Sequence, residues 1–398
     1  MNLQTEFLIV GAGIVSLTLA KELIHLGVDR VLIIEKESRL GMHASGRNSG
    51  VLHAGIYYPP ETLKATLCLK GNKLLQNYCR EKTLPLHPTG KVIVARSDKE
   101  LPMLDTLYQR AIQNGARVDL IDEKQLAEIE PYAKTSQKAL YSYDTAVVDN
   151  QKILLALADD LIQSGKVSIH FDTAFIHRVN DYTIQTTKGP IQFKQFINAA
   201  GAHADKVAHA FDVGKAYYLI PFKGIYKKLI KEKSYLVNGN IYPVPNLRNP
   251  FLGVHFTKSI SGDVYLGPTA IPAFGRENYG LLKGMDSEMV KILWQQIKLF
   301  FANPTFRHIA LEEPRKYSTS YFFHDAKKLV KELQSDWLTA TPKAGIRPQL
   351  IDVTKKELVM DFLILKENHT IHILNAISPA FTSSMAFASY IVNHYLKN

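Results

Sequence analysis

The sequence predicts an α/β fold in which a Rossmann-type domain is interleaved with an α+β domain built on a mostly antiparallel sheet. Two apolar runs near the start, residues 7–10 and 31–34, flank residues 14–24, whose apolar side chains recur at helical spacing. Continuous apolar runs of this length are typical of buried parallel strands, so the three segments predict one βαβ unit. Residues 216–269 hold short β-prone runs broken by Pro and Gly, which favours antiparallel pairing.

The remaining elements follow from the same periodicities. Helical spacing recurs in three stretches, residues 152–164, 285–301 and 382–397. Apolar runs typical of strands lie at residues 167–171 and 193–200, and two more precede the final helix after residue 362. Because the two types of strand alternate along the sequence, we expect the chain to pass several times between the two domains.

Length and composition favour a globular protein of two domains. The chain has 398 residues, of which 46% are hydrophobic and 21% charged. No stretch reaches the roughly 18 apolar residues that span a membrane, and the N-terminus lacks the basic region of a signal peptide. Cys68 and Cys79 have no metal-like spacing and are expected to be reduced thiols. These features predict a cytoplasmic location. The sequence shows no clustered metal ligands, so no metal site is expected.

The net charge of +11 favours an anionic partner. An acidic substrate, a phosphate-bearing cofactor, an anionic membrane surface and a nucleic acid all fit that charge. The lysines are scattered, and no stripe of basic and aromatic residues or RNA-binding motif is present, so no nucleic-acid partner is expected.

A dinucleotide-binding motif joins the first predicted strand to the first predicted helix. Gly11 permits the tight turn, and Gly13 lets the backbone approach a pyrophosphate at the helix N-terminus. The third glycine of the usual motif is replaced by Ser16, which is still small enough for close packing of helix and strand. Glu35 ends the second strand, where an acidic residue accepts a hydrogen bond from a ribose hydroxyl.

The loop after Glu35 favours FAD over a nicotinamide cofactor. Residues 38–50 are polar and rich in Gly and Ser, whereas a nicotinamide enzyme usually returns to a third strand sooner. Such a loop wraps a flavin and supplies hydroxyl and amide contacts, so Arg47, Asn48 and Ser49 are expected to touch the flavin or its pyrophosphate. No cysteine or histidine stands out as an attachment point, and we expect FAD to be bound non-covalently.

At this loop the sequence begins to resemble a known family. The segment ASGRNSGVLHAGIYY (44–58) is followed in order by NAAGAHAD (198–205), IYPVP (241–245), FLGVHFT (251–257), LGP (266–268), GIRPQ (345–349) and NAISPAFTSS (375–384). Together they closely resemble the L-2-hydroxyglutarate dehydrogenase/oxidase family of the D-amino-acid-oxidase-like FAD enzymes. The segments around His53 and His255 are the most specific to that family, and the resemblance covers nearly the whole chain.

The resemblance implies a fold, a domain division and a reaction. It implies a doubly wound FAD-binding domain of residues 1–85, 148–212 and 341–398, and a substrate-binding domain of residues 86–147 and 213–340. The implied reaction is oxidation of L-2-hydroxyglutarate to 2-oxoglutarate, with electrons leaving for a quinone, an artificial dye or oxygen. One departure bears on the substrate: the family usually carries arginine where this chain has Lys223, and lysine offers a carboxylate a point charge instead of a planar fork.

Two histidines are candidates for the base that takes the hydroxyl proton. His53 follows the flavin-wrapping loop, and its alternative role is a hydrogen bond to the flavin or to a backbone carbonyl. His255 lies in an apolar run that predicts a strand facing the substrate, and its alternative role is that of a core histidine with satisfied hydrogen bonds. The sequence alone leaves the choice between the two open.

Cations and aromatic side chains supply the candidate substrate contacts. Arg347 lies in a predicted Gly-x-Arg-Pro turn, where its two N–H groups suit a carboxylate, and the family group uses an arginine in this turn near the flavin. Lys223, Tyr226 and Tyr242 are candidate wall residues of the substrate pocket. The residues expected to hold the cofactor, through backbone or side chain, are Gly11, Gly13, Ile14, Val15, Glu35, Lys36, Ser45, Arg47, Asn48, Ser49, Ala174, Ala200, Gly201, Arg347, Pro379, Ala380, Phe381 and Thr382.

Three alternatives accompany this interpretation. The first is a different substrate within the same enzyme group, such as an amino acid or glycerol 3-phosphate. The second is an RNA-associated flavoprotein, which the positive charge favours and the absence of an RNA-binding motif disfavours. The third is compatible with the leading function: peripheral contact with the inner face of an anionic membrane, where a quinone would be accessible.

Overall fold

The computed structural model describes residues 3–246, 251–281 and 283–396. The chain forms two compact units, each built from separate segments: Met1–Arg47, Asn150–Pro221 and Arg347–Asn398 in the first, and Asn48–Asp149 and Phe222–Ile346 in the second. The α/β fold class and the interleaving predicted from the sequence are confirmed.

The first unit is built around a largely parallel sheet. Its strands, in the order in which they pair, are Phe175–Asn180, Thr183–Thr186, Gly189–Asn198, Leu3–Val10, Val31–Ile34 and Val167–His170, and Thr370–Asn375 pairs with both Gly189–Asn198 and Leu363–Glu367. Leu3–Val10 runs parallel to both of its neighbours, and Val31–Ile34 is buried along its whole length. This burial on both faces explains the continuous apolar runs in the sequence.

Helices cover this sheet and complete the βαβ unit. They are Ile14–His25, Ala44–Arg47, Asn150–Gln163, Ala204–Ala210 and Ala380–Ile391, the last extended by a π-helical turn at Val392–Leu396. Ile14–His25 packs against both Ala380–Ile391 and Asn150–Gln163. The first and last helices of the chain are therefore neighbours.

The second unit is built around a mostly antiparallel sheet, as predicted. It begins with residues 338–346 of the strand Leu338–Asp352 and residues 222–229 of the strand Tyr217–Leu229. The strands that follow in pairing order are Val264–Gly267, His255–Lys258, Asn240–Pro243, Lys91–Val94, Lys138–Ser142 and Val118–Asp122. The pair formed by Asn240–Pro243 and Lys91–Val94 is parallel, and their other pairings are antiparallel. Shorter strands in this unit are Val51–Leu52, Leu86–His87, Ala146–Val148 and Ile271–Pro272.

Helices of the second unit come from two parts of the chain. They are Leu63–Glu81, Leu101–Gln113, Glu123–Ile129, Met289–Ala302, Pro304–Glu312 and Thr319–Ala326. Two long strands, Tyr217–Leu229 and Leu338–Asp352, continue from one unit into the other, and Glu357–Leu358 pairs with the end of the latter. The compact units place residues 48–85 in the second unit, whereas the sequence grouped them with the FAD-binding domain; the functional assignment of that segment stays a prediction.

Candidate active site

The dinucleotide motif of the first unit requires glycine at position 11. Gly11 has φ of +95°, and its N–H donates to the carbonyl of Ile34 (2.8 Å). A Cβ atom at this position would lie 2.7 Å from the carbonyl oxygen of Ala199. The turn therefore brings the backbone against the segment that contains Ala199 and Ala200, so Ala200 lies beside the motif, as the sequence predicted.

The helix Ile14–His25 begins at this turn and offers backbone donors. Gly13 precedes it and supplies no capping side chain, while the N–H of Ile14 donates to the hydroxyl of Ser45 (3.0 Å). The first turn, which includes Val15, carries the partial positive charge of a helix N-terminus. In this contact Ser45 accepts from Ile14, and the partial positive charge of the helix N-terminus suits a pyrophosphate.

Glu35 lies beside the same turn and is held by backbone donors. Its two carboxylate oxygens accept from the N–H groups of Ala12 (2.8 Å) and Glu37 (3.0 Å). The carbonyl of Glu35 accepts from the N–H of Thr173 (2.8 Å), which brings the segment with Ala174 close to it. A carboxylate oxygen has more than one lone pair, so Glu35 keeps the capacity to accept from a ribose hydroxyl.

The predicted flavin-wrapping loop contains a short helix, Ala44–Arg47, and this corrects the interpretation of residues 38–50 as loop throughout. The Nε of Arg47 donates to the carbonyl of Met42 (2.6 Å), which holds this turn together. Lys36 pairs with Glu37 and lies 3.0 Å from Nε2 of His43. Asn48 and Ser49 begin the second unit, and Oδ1 of Asn48 accepts from the N–H of Gly50 (2.9 Å). Cofactor contacts of these residues stay predictions.

The last helix begins earlier than the sequence suggested. It starts at Ala380 instead of Thr382, with Pro379 just before it, so Phe381 and Thr382 lie in its first turn. Proline lacks an N–H and is tolerated at a helix start, which explains why the helix reaches back to it. Gly201 has φ of +55° and opens a 3₁₀ turn after the strand that ends at Asn198.

His255 lies on the sheet of the second unit and is 6% exposed. Its Nδ1 is 2.9 Å from the carbonyl of Gly253, and because a carbonyl only accepts, Nδ1 must carry the proton. Burial lowers the pKa of His255 from 6.5 to about 3, with the charge of Lys91 acting in the same direction. The imidazole is therefore neutral at physiological pH, and its Nε2 is unprotonated and able to accept a proton.

His53 belongs to the same cluster of titratable groups. Its backbone carbonyl accepts from the side-chain amide of Asn72 (3.0 Å), a buried residue of the helix Leu63–Glu81. Burial, followed by the charges of Lys91 and His255, holds the pKa of His53 well below 6.5. The structure thus brings the two predicted histidines into mutual electrostatic range.

A buried lysine that the sequence analysis missed lies beside this pair. Lys91 is 1% exposed, and its Nζ lies 4.6 Å from the ring centroid of Tyr57 and 5.0 Å from that of Tyr242. The ring of Tyr242 in turn stacks on the imidazole of His255, with centroids 3.7 Å apart. A lysine that opens an otherwise apolar strand was the available signal, because Lys91 and Ile93 must project to the same face.

The other predicted substrate contacts have local partners. Lys223 is buried, and its Nζ donates to the carbonyl of Gly280 (2.8 Å). Tyr226 is buried beneath Lys343, whose Nζ lies 5.2 Å from the ring centroid. Arg347 lies within the strand Leu338–Asp352, which corrects the predicted turn; alternating burial through this segment explains the strand. Substrate contact by these residues stays a prediction.

Comparison with known proteins identifies the family. The FAD dependent oxidoreductase family, DAO, matches residues 6–394. The chain belongs to this family. It is 36% identical to the mitochondrial L-2-hydroxyglutarate dehydrogenase of Caenorhabditis elegans, covering 98% of this chain and 92% of that protein. It is 35% identical to the L-2-hydroxyglutarate dehydrogenase of Indibacter alkaliphilus, covering 98% and 99%. The family resemblance seen in the sequence is confirmed.

Structural comparison supports the same assignment at the level of the fold. L-alpha-glycerophosphate oxidase from Mycoplasma pneumoniae, solved reduced by dithionite and with FAD bound, superposes with a TM-score of 0.75 at 23% identity, covering 98% of this chain and 94% of that one. The cofactor of this oxidoreductase is FAD. The residues present fit it, because the turn at Gly11 has no room for a Cβ atom, the helix N-terminus lies at Ile14, and Glu35 offers a carboxylate.

Proposed function

We propose that this oxidoreductase converts L-2-hydroxyglutarate to 2-oxoglutarate, with His255 as the base. The role of His255 is supported by its tautomer. Because Nδ1 donates to the carbonyl of Gly253, Nε2 is left as a proton acceptor. The substrate follows from relatives at 34–36% identity, such as those of human and Caenorhabditis elegans, that are named L-2-hydroxyglutarate dehydrogenases. His53, which lies in the same cluster, orients the hydroxyl group.

The reaction divides into a proton transfer and a hydride transfer. Bound FAD supplies the hydride acceptor. His255 Nε2 takes the proton of the hydroxyl group as the C–H bond breaks, and the carbon becomes the carbonyl of a 2-oxo acid. Arg347 and Lys223 bind the two carboxylates, the first through a planar pair of N–H groups and the second as a point charge. Tyr226 and Tyr242 form the walls of the pocket.

The electron acceptor in this proposal is a quinone or oxygen. A different small substrate is the second candidate, because L-alpha-glycerophosphate oxidase shares the fold of this chain. At 23% identity that likeness concerns the fold alone, which is why we favour the hydroxy acid. Oxidation of an amino acid would release ammonia with the 2-oxo acid, whereas oxidation of a hydroxy acid would not.

Anaerobic mixing with L-2-hydroxyglutarate tests the function directly. We expect rapid bleaching of the flavin absorbance, together with one equivalent of 2-oxoglutarate and no ammonia. D-2-hydroxyglutarate, glycine and glycerol 3-phosphate serve as matched substrates and should leave the absorbance unchanged. A yellow protein that L-2-hydroxyglutarate does not bleach, or one that glycerol 3-phosphate bleaches faster, contradicts the proposed substrate.

We also propose that the protein docks on an anionic membrane surface from the cytoplasm, through the helix Met289–Ala302. Among the described residues, no helix is both long and apolar enough to cross a bilayer. One face of this helix nevertheless exposes four large apolar side chains, between 47% and 76% accessible: Val290, Trp294, Ile297 and Phe301. At about 100° per residue these positions fall within an arc of about 60°.

The charges on the helix point to lipid as the occupant of that face. The buried residues Ile292, Gln296 and Leu299 lie on the opposite side, so the exposed face is additional to the packed one. Lys291 and Lys298 both lie along one edge of the exposed stripe, and residues 289–302 contain no acidic side chain. Apolar and aromatic side chains edged by lysine are typical of helices that lie in the interface of an anionic bilayer.

Vesicle co-sedimentation tests the docking surface. Wild-type protein is expected to sediment with phosphatidylcholine vesicles that contain phosphatidylglycerol, more weakly with pure phosphatidylcholine, and Trp294→Gln/Phe301→Gln to remain in solution. The control is Leu155→Gln/Ile162→Gln, whose parent side chains are 53% and 52% exposed on a helix that carries Asp159 and Asp160. If the Trp294/Phe301 variant binds vesicles normally but changes its mass in sedimentation velocity, the face joins two copies of the chain instead.

A further inference from the structure

Lys91 is a buried amine whose surroundings are aromatic. Among the described residues no hydrogen-bond acceptor lies within reach of its Nζ, and the contacts of this atom are the rings of Tyr57 and Tyr242. Buried charges are normally paired with an opposite charge, because leaving water is costly for them. Burial lowers the pKa of Lys91 from 10.5 to about 7, so near neutral pH the amine is present in both forms.

The strand register places Lys91 and His255 on one face of the sheet. Tyr242 lies beside Ile93 in the parallel pair, and Ile241 is opposite Phe256 in the antiparallel pair, which puts Tyr242 across from His255. Side chains alternate along a strand, so Lys91 projects to the same face as Ile93. The Tyr242 ring stacks on the imidazole of His255, with centroids 3.7 Å apart, and its centroid also lies 5.0 Å from Nζ of Lys91, so one ring contacts both groups.

We propose that Lys91 is a positioning residue for this oxidation: through the Tyr242 ring it fixes the plane of the His255 imidazole, and its buried charge opposes protonation of both histidines. This inference rests on the proposed function of His255 as the base. The titratable groups around Lys91 are the phenols of Tyr57 and Tyr242, the thiol of Cys68 and the two imidazoles. Burial raises the pKa of both phenols, and the thiol of Cys68 acts to raise the pKa of Lys91, against the larger lowering by burial.

The arrangement ties the strength of the base to the charge of the substrate. Before substrate binds, the ammonium weakens His255 as a proton acceptor. A dicarboxylate brings negative charge that offsets the ammonium, so the imidazole becomes a stronger base only when an anionic substrate is in place. A neutral alcohol would not produce this change, and Lys91 thereby contributes to selection of acidic substrates.

The pH profile of kcat/KM tests the proposal, because kcat/KM reports ionisations of the free enzyme, in which no substrate carboxylate offsets the ammonium. Lys91→Met removes the positive charge beside His255, so the pKa of His255 rises and we expect the acid limb of the kcat/KM profile to move up by about one pH unit. Lys91→Arg keeps the charge and should keep the wild-type limb. The matched control is Lys343→Met, which removes a lysine that also lies over two tyrosine rings, those of Tyr226 and Tyr265.

The proposal is overturned if the acid limb of the Lys91→Met pH profile coincides with that of wild type. It is also overturned if Lys343→Met shifts that limb by the same amount. Failure of wild-type protein to react with L-2-hydroxyglutarate would instead count against the proposed function. If Lys91→Met does not fold, NMR of isotope-labelled histidine in the wild-type holoenzyme replaces it. Ring-nitrogen shifts of His255 that change as Lys91 loses its proton near pH 7 support the proposal, and shifts that stay constant across that range overturn it.

Discussion

Gly11→Ala is expected to yield a folded protein that no longer retains FAD. The substitution places a methyl group 2.7 Å from the carbonyl oxygen of Ala199, and this contact involves backbone on both sides, so it is relieved only by moving the turn. Moving the turn shifts the helix N-terminus at Ile14 away from the position where the pyrophosphate binds. The measurement is the ratio of flavin to protein absorbance after purification, followed by titration of the stripped protein with FAD.

Gly27→Ala is the matched control for this prediction. Gly27 also has a positive φ, +87°, but a Cβ atom there would meet no atom within 4 Å. Both variants therefore share the cost of a left-handed alanine, about 1–2 kcal/mol, and differ in the contact with Ala199. We expect Gly27→Ala to be slightly less stable and fully yellow. A Gly11→Ala protein that binds FAD as tightly as Gly27→Ala would show that this turn does not hold the cofactor.

The dinucleotide site could be predicted from the sequence because its determinants are local. The turn at Gly11, the helix after it and the acidic residue at the end of the second strand lie within about 30 residues, as a βαβ unit requires. Each position has a local requirement that particular residue types meet. Position 11, for example, needs a positive φ, which glycine adopts readily. The antiparallel sheet of the second unit followed in the same way from short β-prone runs separated by Pro and Gly.

The histidine cluster could be predicted only in part, because its members come from distant segments. His53 and His255 were found through family resemblance, but nothing local to Lys91 or Tyr57 indicates that their side chains meet Tyr242. That meeting depends on a parallel pairing between residues about 150 positions apart, which hydrophobic patterns do not encode. Likewise, the Gly and Pro that flank Arg347 predict a turn, whereas the structure has a strand with alternating burial through that segment.

His255→Asn is expected to lower kcat by about 10²–10⁴-fold while leaving FAD bound. Asparagine offers an N–H to the carbonyl of Gly253, as Nδ1 does now, but has no basic nitrogen in place of Nε2. The measurement is the rate of anaerobic flavin bleaching with saturating L-2-hydroxyglutarate, normalised to bound flavin. The residual rate should rise with pH, since hydroxide then replaces the missing base, and added imidazole should restore part of the rate.

A second buried histidine separates loss of a base from loss of packing. His372 is fully buried in the first unit, its ring nitrogens lie 3.2 Å from Asn198 and 3.0 Å from Thr370, and burial lowers its pKa to about 4. His372→Asn should therefore lower the melting temperature but preserve the rate per bound flavin. Loss of activity in His53→Asn with retention in His255→Asn would assign the base to His53, and the tautomer fixed by Gly253 would then serve only to hold the imidazole against Tyr242.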